Sequence, residues 1–338
     1  MSIQQLYTTN TNTNTNTTGT SISTLHYPEL LFVEDKLQIV LNKADGLIQQ
    51  TCITLLQSGG KRIRPLLTLY SGMCFAPLNP QMIEGAVASE LIHMASLIHD
   101  DVIDKSSTRR GKPTVNSLYG DHAAILTGDY LFAEAFNILA TNQLLSSMTY
   151  LVKAIQAMCE GEVNQANEQF SMSIGLQQYF QRITKKTGEL LAACCQSGAI
   201  LAGATSEELK LMRDYGLNIG YAYQITDDIL DISGDSEALG KPVGADLING
   251  NITLPFLYLM DNPIYGDWLK EIIKTRKVSR QGIQSIQEAL ISSGCLDQAY
   301  ATATTCISKA KSSLAKIPRS PYREALVQIA DSILLRTT

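Results

Sequence analysis

What the chain has little of narrows the field first. There is no lysine or arginine before Lys36, so the N-terminus resembles neither a secretory signal nor an Arg-rich transit peptide, and a cytoplasmic or organelle-encoded plastid location is expected. Positive charge is in deficit, 27 basic against 32 acidic residues, a net charge of -5. That balance excludes non-specific nucleic-acid binding, which needs a basic face. The seven cysteines (Cys52, Cys74, Cys159, Cys194, Cys195, Cys295, Cys306) are odd in number, scattered and without a CxxC pair, so reduced thiols are expected, with no disulfide framework or zinc site. Long hydrophobic runs are also missing. Leu190 to Ser206 carries Gln196, Ser197, Gly198 and Gly203 and is short for a bilayer, so no transmembrane segment is expected.

Proline is absent between Pro113 and Pro242, and no stretch alternates with period two. Apolar residues recur instead at three and four residue steps over Ile125 to Leu139, Met148 to Glu162 and Ile183 to Leu201. The fold class is therefore all-α, in two domains by the length prior or in one large one. With 45% hydrophobic and 17% charged residues in 338, the chain has ample material for one large core. Residues 1–24, rich in Thr and Asn, cannot bury enough apolar surface and are expected to be disordered, leaving 25–338 as the folded domain. Asn16 and Asn251 begin N-x-T sequons that we read as chance. A helix is expected from Leu30 to Gln57, stopped by Ser58-Gly59-Gly60. Another should run from Pro65 to Met73, then helices from about Leu254, over Gln281 to Ser293, Leu296 to Leu314 and Pro321 to Leu335.

The organising stretch is LIHMASLIHDDVID, Leu91 to Asp104. Leu91, Met94, Ala95, Ile98 and Val102 form a buried helical face, and Asp100, Asp101 and Asp104 follow at one-turn spacing. Carboxylates there repel one another and the helix C-terminus, unless a cation sits among them. One such cluster is as easily a solvated helix end. A second copy, QITDDILD with Asp227, Asp228 and Asp231, makes that reading improbable. Hard divalent cations take oxygen ligands, and Mg²⁺ in particular is held by a few carboxylates while substrate phosphates complete its shell. The pattern asks for a polyphosphate substrate. Lys61, Arg62 and Arg64 stand just before the Pro65 helix, beside an N-terminus suited to an anion, although alone they would be a solvated charge run.

Together GGKRIRP (59–65), DDVIDKSSTRRGKPT (100–114), KTGEL (186–190), QITDDILD (224–231) and GKPVGADL (240–247) resemble the trans-isoprenyl diphosphate synthases, from about Leu30 onward and in order. The likeness is greatest to the long-chain branch that makes solanesyl-type diphosphates. The resemblance implies the isoprenoid synthase fold, a homodimer, and Mg²⁺-dependent condensation of isopentenyl diphosphate with an allylic diphosphate to a long all-trans product for a quinone side chain. It implies that Asp100, Asp101, Asp104, Asp227, Asp228 and Asp231 hold the metal. Arg109, Lys186 and Lys241 would grip the allylic diphosphate, and Thr187 and Gln224 would steady it. Lys61, Arg64, His93 and Arg110 would hold isopentenyl diphosphate. Singly, His93 is a core histidine, Arg109 and Arg110 a surface pair, and Lys241 part of a loop; their joint occurrence in order is what counts. Asn251 stands where many members have lysine and long-chain members often share the asparagine.

Product length should follow from Ala95 and Ser96, one turn below Asp100, where short-chain members tend to carry aromatic rings. Small side chains leave a channel open past Leu91 and Ile92, with Phe132 or Phe136 as its floor. Alternatives are a geranylgeranyl diphosphate synthase supplying carotenoid precursors, a non-catalytic subunit of a heteromeric synthase, and a class I terpene cyclase. A cyclase would dispense with GGKRIRP and the second aspartate cluster; a regulatory subunit would be expected to lose aspartates. Peripheral contact with a membrane would help an apolar product leave.

Overall fold

Asn79 opens the helix around which the others pack: its side-chain oxygen accepts the Met82 N–H at 2.9 Å, and Pro80, with no N–H to lose, takes the first helical position. The computed structural model describes residues 27–57, 59–109, 111–234, 243–276 and 278–336. The Thr/Asn-rich tail, Arg110 and Lys241 lie outside the described residues.

The chain runs α1 (Leu30–Leu41), α2 (Gly46–Gln57), α3 (Ile63–Met73), α4 (Pro80–Ile103), a two-stranded ribbon β1 (Thr108–Arg109) and β2 (Lys112–Pro113), α5 (Val115–Tyr119), α6 (Asp121–Thr141), α7 (Leu145–Glu168) and α8 (Leu176–Ile183). A π-helical turn, Thr184–Gly188, leads into α9 (Glu189–Leu201) and α10 (Ser206–Ser233). Then come α11 (Ala245–Ile248), α12 (Leu254–Met260), α13 (Gly266–Thr275), α14 (Arg280–Ser292), α15 (Cys295–Leu314) and α16 (Pro321–Leu334). The architecture is all-α, as the periodicity requires. Three details depart from expectation. The Leu30 to Gln57 helix is broken at residues 42–45, and Gly46, which opens the second piece, takes φ +56°. The helix expected at Pro65 starts two residues earlier, at Ile63. The ribbon, pairing Thr108 with Pro113 and Arg109 with Lys112, is too short to leave a period.

The two aspartate helices are held in one bundle by α9, which packs on both α4 and α10; α4 also lies along α6 and α3, and α10 along α15. Leu91, Ile92, Ala95 and Ile98 are at most 1% exposed, each large one contributing roughly 1.5–3 kcal/mol of burial. Val102, at the cluster end, is only half-buried. Two glycines set the closeness of α10 to its neighbours. A Cβ on Gly216 would come 2.5 Å from the Ala192 Cα, and one on Gly220 2.7 Å from the Gly188 Cα. The backbone of the π turn can therefore lie directly on α10. Among the described residues α6 is long and apolar enough to cross a membrane by length and composition, with 39% of its apolar window buried, where the sequence had suggested no such segment. It carries Asp129 and Glu134 and packs along α4.

Candidate active site

Asp100 and Asp101 lie in the last turn of α4, Asp104 is its C-cap, and all three sit where the helix already carries negative charge. Asp101 is turned inward, 4% exposed, and receives Arg109 from the ribbon, whose Nε and Nη2 both reach Oδ1 at 2.8 Å. Burial raises the Asp101 carboxyl, and Arg109 opposes the rise. Asp100 is pushed up to about 6, first by burial, with Lys186 pulling down and Glu162 and Asp104 pushing up. Asp104 stays exposed.

Lys186 arrives from the π turn. The extra residue of a π turn rotates the chain against the α-helical register, and such turns recur at functional sites. Here it sets Lys186 on Glu162 Oε2 at 3.0 Å and Gln165 Oε1 at 3.2 Å. Burial would lower its ammonium, but Glu162, Asp100 and Asp104 outweigh that and raise it, so the cation is held fully charged. The next residue, buried Thr187, donates to Gln224 Oε1 at 2.7 Å. Gln224 in turn donates to Asp228 Oδ1 at 2.9 Å, and Tyr179 of α8 donates to Asp228 Oδ2 at 2.6 Å. Asp228, 3% exposed, is pushed up to about 7 by burial and then by Asp246, against these two donors.

The other two carboxylates of the second cluster have partners of their own. Asp227 pairs with Arg336 at 2.7 Å, whose guanidinium also lies 4.1 Å over the Tyr223 ring. Asp231, 1% exposed, accepts the Asp246 N–H on Oδ2 at 3.1 Å, while its carbonyl accepts the Gly244 N–H. It fastens the start of α11. No group of three metal-ligating side chains is already gathered among the described residues.

Lys61 and Arg64 flank the start of α3, and His93 lies half-buried on α4. The Arg64 Nε is buried with no hydrogen-bond partner, the condition of a donor awaiting an anion. Ala95 is fully buried, and Ser96 donates to the His93 carbonyl at 2.9 Å. Phe132 and Phe136 stack 6.4 Å apart on α6, with His99 against Phe132.

Five residues of this region had no sequence signal of their own: Glu90, Glu162, Tyr179, Arg182 and Arg336. Arg182, buried, holds the Ile252 carbonyl at 2.6 Å. Glu162 meets Lys186 of KTGEL from α7.

An all-α bundle with two aspartate-bearing helix ends, a lysine on a π turn between them and a basic cluster at a neighbouring helix start defines an isoprenoid synthase, an enzyme of the prenyltransferase class. Residues 45–290 match the polyprenyl synthetase family, and the chain belongs to that family. It is 37% identical over 302 residues to heptaprenyl diphosphate synthase component 2 of Bacillus subtilis, covering 89% of this chain and 86% of that one. The heptaprenyl diphosphate synthase structure from Staphylococcus aureus superposes with a TM-score of 0.85 at 34% identity, covering 92% of this chain and 98% of that one. The polyprenyl synthase of Caulobacter crescentus, complexed with calcium and isoprenyl diphosphate, gives 0.82 at 34% identity, covering 91% and 93%.

Proposed function

We propose that this chain condenses isopentenyl diphosphate with an allylic diphosphate, repeatedly and in trans, to a long-chain polyprenyl diphosphate of solanesyl type, for a quinone side chain. The observation that carries the reading is the facing of Asp100 and Asp104 by Lys186, with Thr187, Gln224 and Asp228 linked to it through the π turn.

The donor set fits Mg²⁺. It is all oxygen, it gathers carboxylates with raised proton affinity at a helix C-terminus, and it holds fewer cations than acids. Asp100, Asp101 and Asp104 would hold it on one side and Asp227 and Asp228 on the other. Asp231 completes the second cluster. When bound, the metal supplies Lewis-acid stabilisation of the departing diphosphate.

The side chains do the rest. Arg109 and Lys186 bind the allylic diphosphate and stay aimed at its oxygens, because Asp101 and Glu162 fix their heads. The C–O bond breaks with its electron pair leaving on the diphosphate, whose growing charge those cations face. Lys61, Arg64 and His93 hold isopentenyl diphosphate so that its double bond attacks the allylic carbon, and loss of a proton restores an alkene. Thr187 and Gln224 steady the allylic end. Arg110 joins the grip on isopentenyl diphosphate and Lys241 the grip on the allylic diphosphate. Residues 25–338 act as one domain, paired as a homodimer. Small side chains at Ala95 and Ser96 favour a long product over geranylgeranyl diphosphate.

A test is incorporation of labelled isopentenyl diphosphate by the purified chain with Mg²⁺, with EDTA, and as Lys186→Ala. Activity with Mg²⁺, abolished by EDTA and reduced at least a hundredfold by Lys186→Ala, supports the reading. Inactivity of the chain alone, restored by a second protein, would favour a partner-dependent subunit, as "component 2" in the name of the Bacillus relative invites.

A further inference from the structure

Arg62 stands between Lys61 and Arg64, the two cations of its run that the proposed function gives to isopentenyl diphosphate, yet its side chain goes inward. Its Nε and Nη2 take both oxygens of Glu34 on α1, and its Nη1 takes Glu90 Oε1 on α4 at 2.9 Å. The Arg62 head is 10% exposed and that of Glu90 4%. The fork thus ties α1 to α4 just where α3 begins. The backbone there is unusual as well. Arg62 caps α3 with φ +48° and ψ +36°, the left-handed region that L side chains seldom adopt.

The surrounding charges are arranged around this clasp. Glu90 is buried; burial raises its carboxyl, while Arg62 and Arg64 both pull it down. Arg64 therefore stands close to the same buried acid, its Nε enclosed and without a partner. His93 follows Glu90 by one turn on α4.

We infer that Arg62 is a positioning residue of the isopentenyl diphosphate site: it does not touch the diphosphate, and its clasp on Glu34 and Glu90 holds the left-handed turn that sets Lys61 and Arg64 toward one anion. The inference rests on the proposed function, which assigns Lys61 and Arg64 to that substrate. Lysine cannot replace the fork, because a point charge grips one carboxylate at a time.

The experiment is steady-state kinetics of Arg62→Lys, with Lys61→Ala and Arg64→Ala alongside, each substrate varied in turn. Arg62→Lys is expected to raise KM for isopentenyl diphosphate at least tenfold, with KM for the allylic diphosphate and kcat within twofold. A purely structural residue would lower the melting temperature and the active fraction without separating the two KM values. Equal or absent changes in both therefore overturn the inference. If Lys61→Ala and Arg64→Ala raise KM for isopentenyl diphosphate and Arg62→Lys does not, the inference fails and the site assignment stands. If neither alanine variant raises it, the site assignment itself fails. Should Arg62→Lys not fold, Glu34→Gln removes only the more exposed carboxylate and is expected to raise the same KM about threefold or more; no change there overturns the inference.

Discussion

Tyr179 donates its hydroxyl to Asp228 at 2.6 Å, both side chains buried, across the space between α8 and α10. The bond favours the charged carboxylate against burial. Tyr179→Phe removes the donor and leaves the acid, so we predict a stability loss of about 1–3 kcal/mol. The acid limb of the pH–activity profile should also move to higher pH. Thermal melts and a pH–rate series check the two effects.

The raised carboxyls set a pH dependence of their own. Asp100 at about 6 and Asp228 at about 7 bind protons more tightly in the folded chain than in the unfolded one, where a carboxyl titrates near ~3.9. Their contribution to the stability of the metal-free protein is therefore greatest at low pH and falls as pH climbs from about 4 to about 7, opposite to an ion-paired carboxylate. Metal affinity should rise over the upper part of that window, since the ligands must be ionised. Melting of EDTA-treated protein and Mn²⁺ titrations at pH 5.5 and 7.5 would measure both.

Gly220→Ala should pry the π turn from α10, because the new methyl would meet the Gly188 Cα at 2.7 Å. Thr187 would then lose Gln224. We expect a lower melting temperature and a rise of several-fold in KM for the allylic diphosphate, with KM for isopentenyl diphosphate little changed.

Arg336 already supplies a positive charge to Asp227. Arg336→Gln removes that charge, so the metal-free protein should melt lower while Mn²⁺ binds more tightly, by about threefold or more. Unchanged Mn²⁺ affinity would show that Asp227 is not a ligand.

The helical periods made the all-α architecture legible in the sequence, and the one-turn spacing of the aspartates marked two helix ends. Spacing along one helix survives folding, so Asp100 and Asp101 stand in the last turn of α4 with Asp104 as its C-cap, although their side chains are not drawn into one group. What spacing cannot carry is register between elements. The π turn at Thr184–Gly188 looks like ordinary helix in the sequence, yet it decides that Lys186 meets Glu162 while Thr187 meets Gln224. Asp231 repeats the spacing of Asp104 but is taken by the Asp246 N–H, a partner fifteen residues on. Arg336 reaches Asp227 from the far end of the chain, and no local pattern announces it. Arg62 reads as one more cation in a basic run, and only the placement of Glu34 and Glu90 turns it inward.

Incubation of the purified chain with Mg²⁺, labelled isopentenyl diphosphate and, in separate tubes, farnesyl or geranylgeranyl diphosphate, followed by chromatography of the dephosphorylated products, tests the central claim most directly. Ala95→Phe run beside it reads the channel, at a packing cost of about 1–3 kcal/mol. The account predicts a ladder ending well beyond geranylgeraniol for the native chain and a shorter one for the variant. A native product that stops at geranylgeraniol, or no incorporation from either primer, would contradict it.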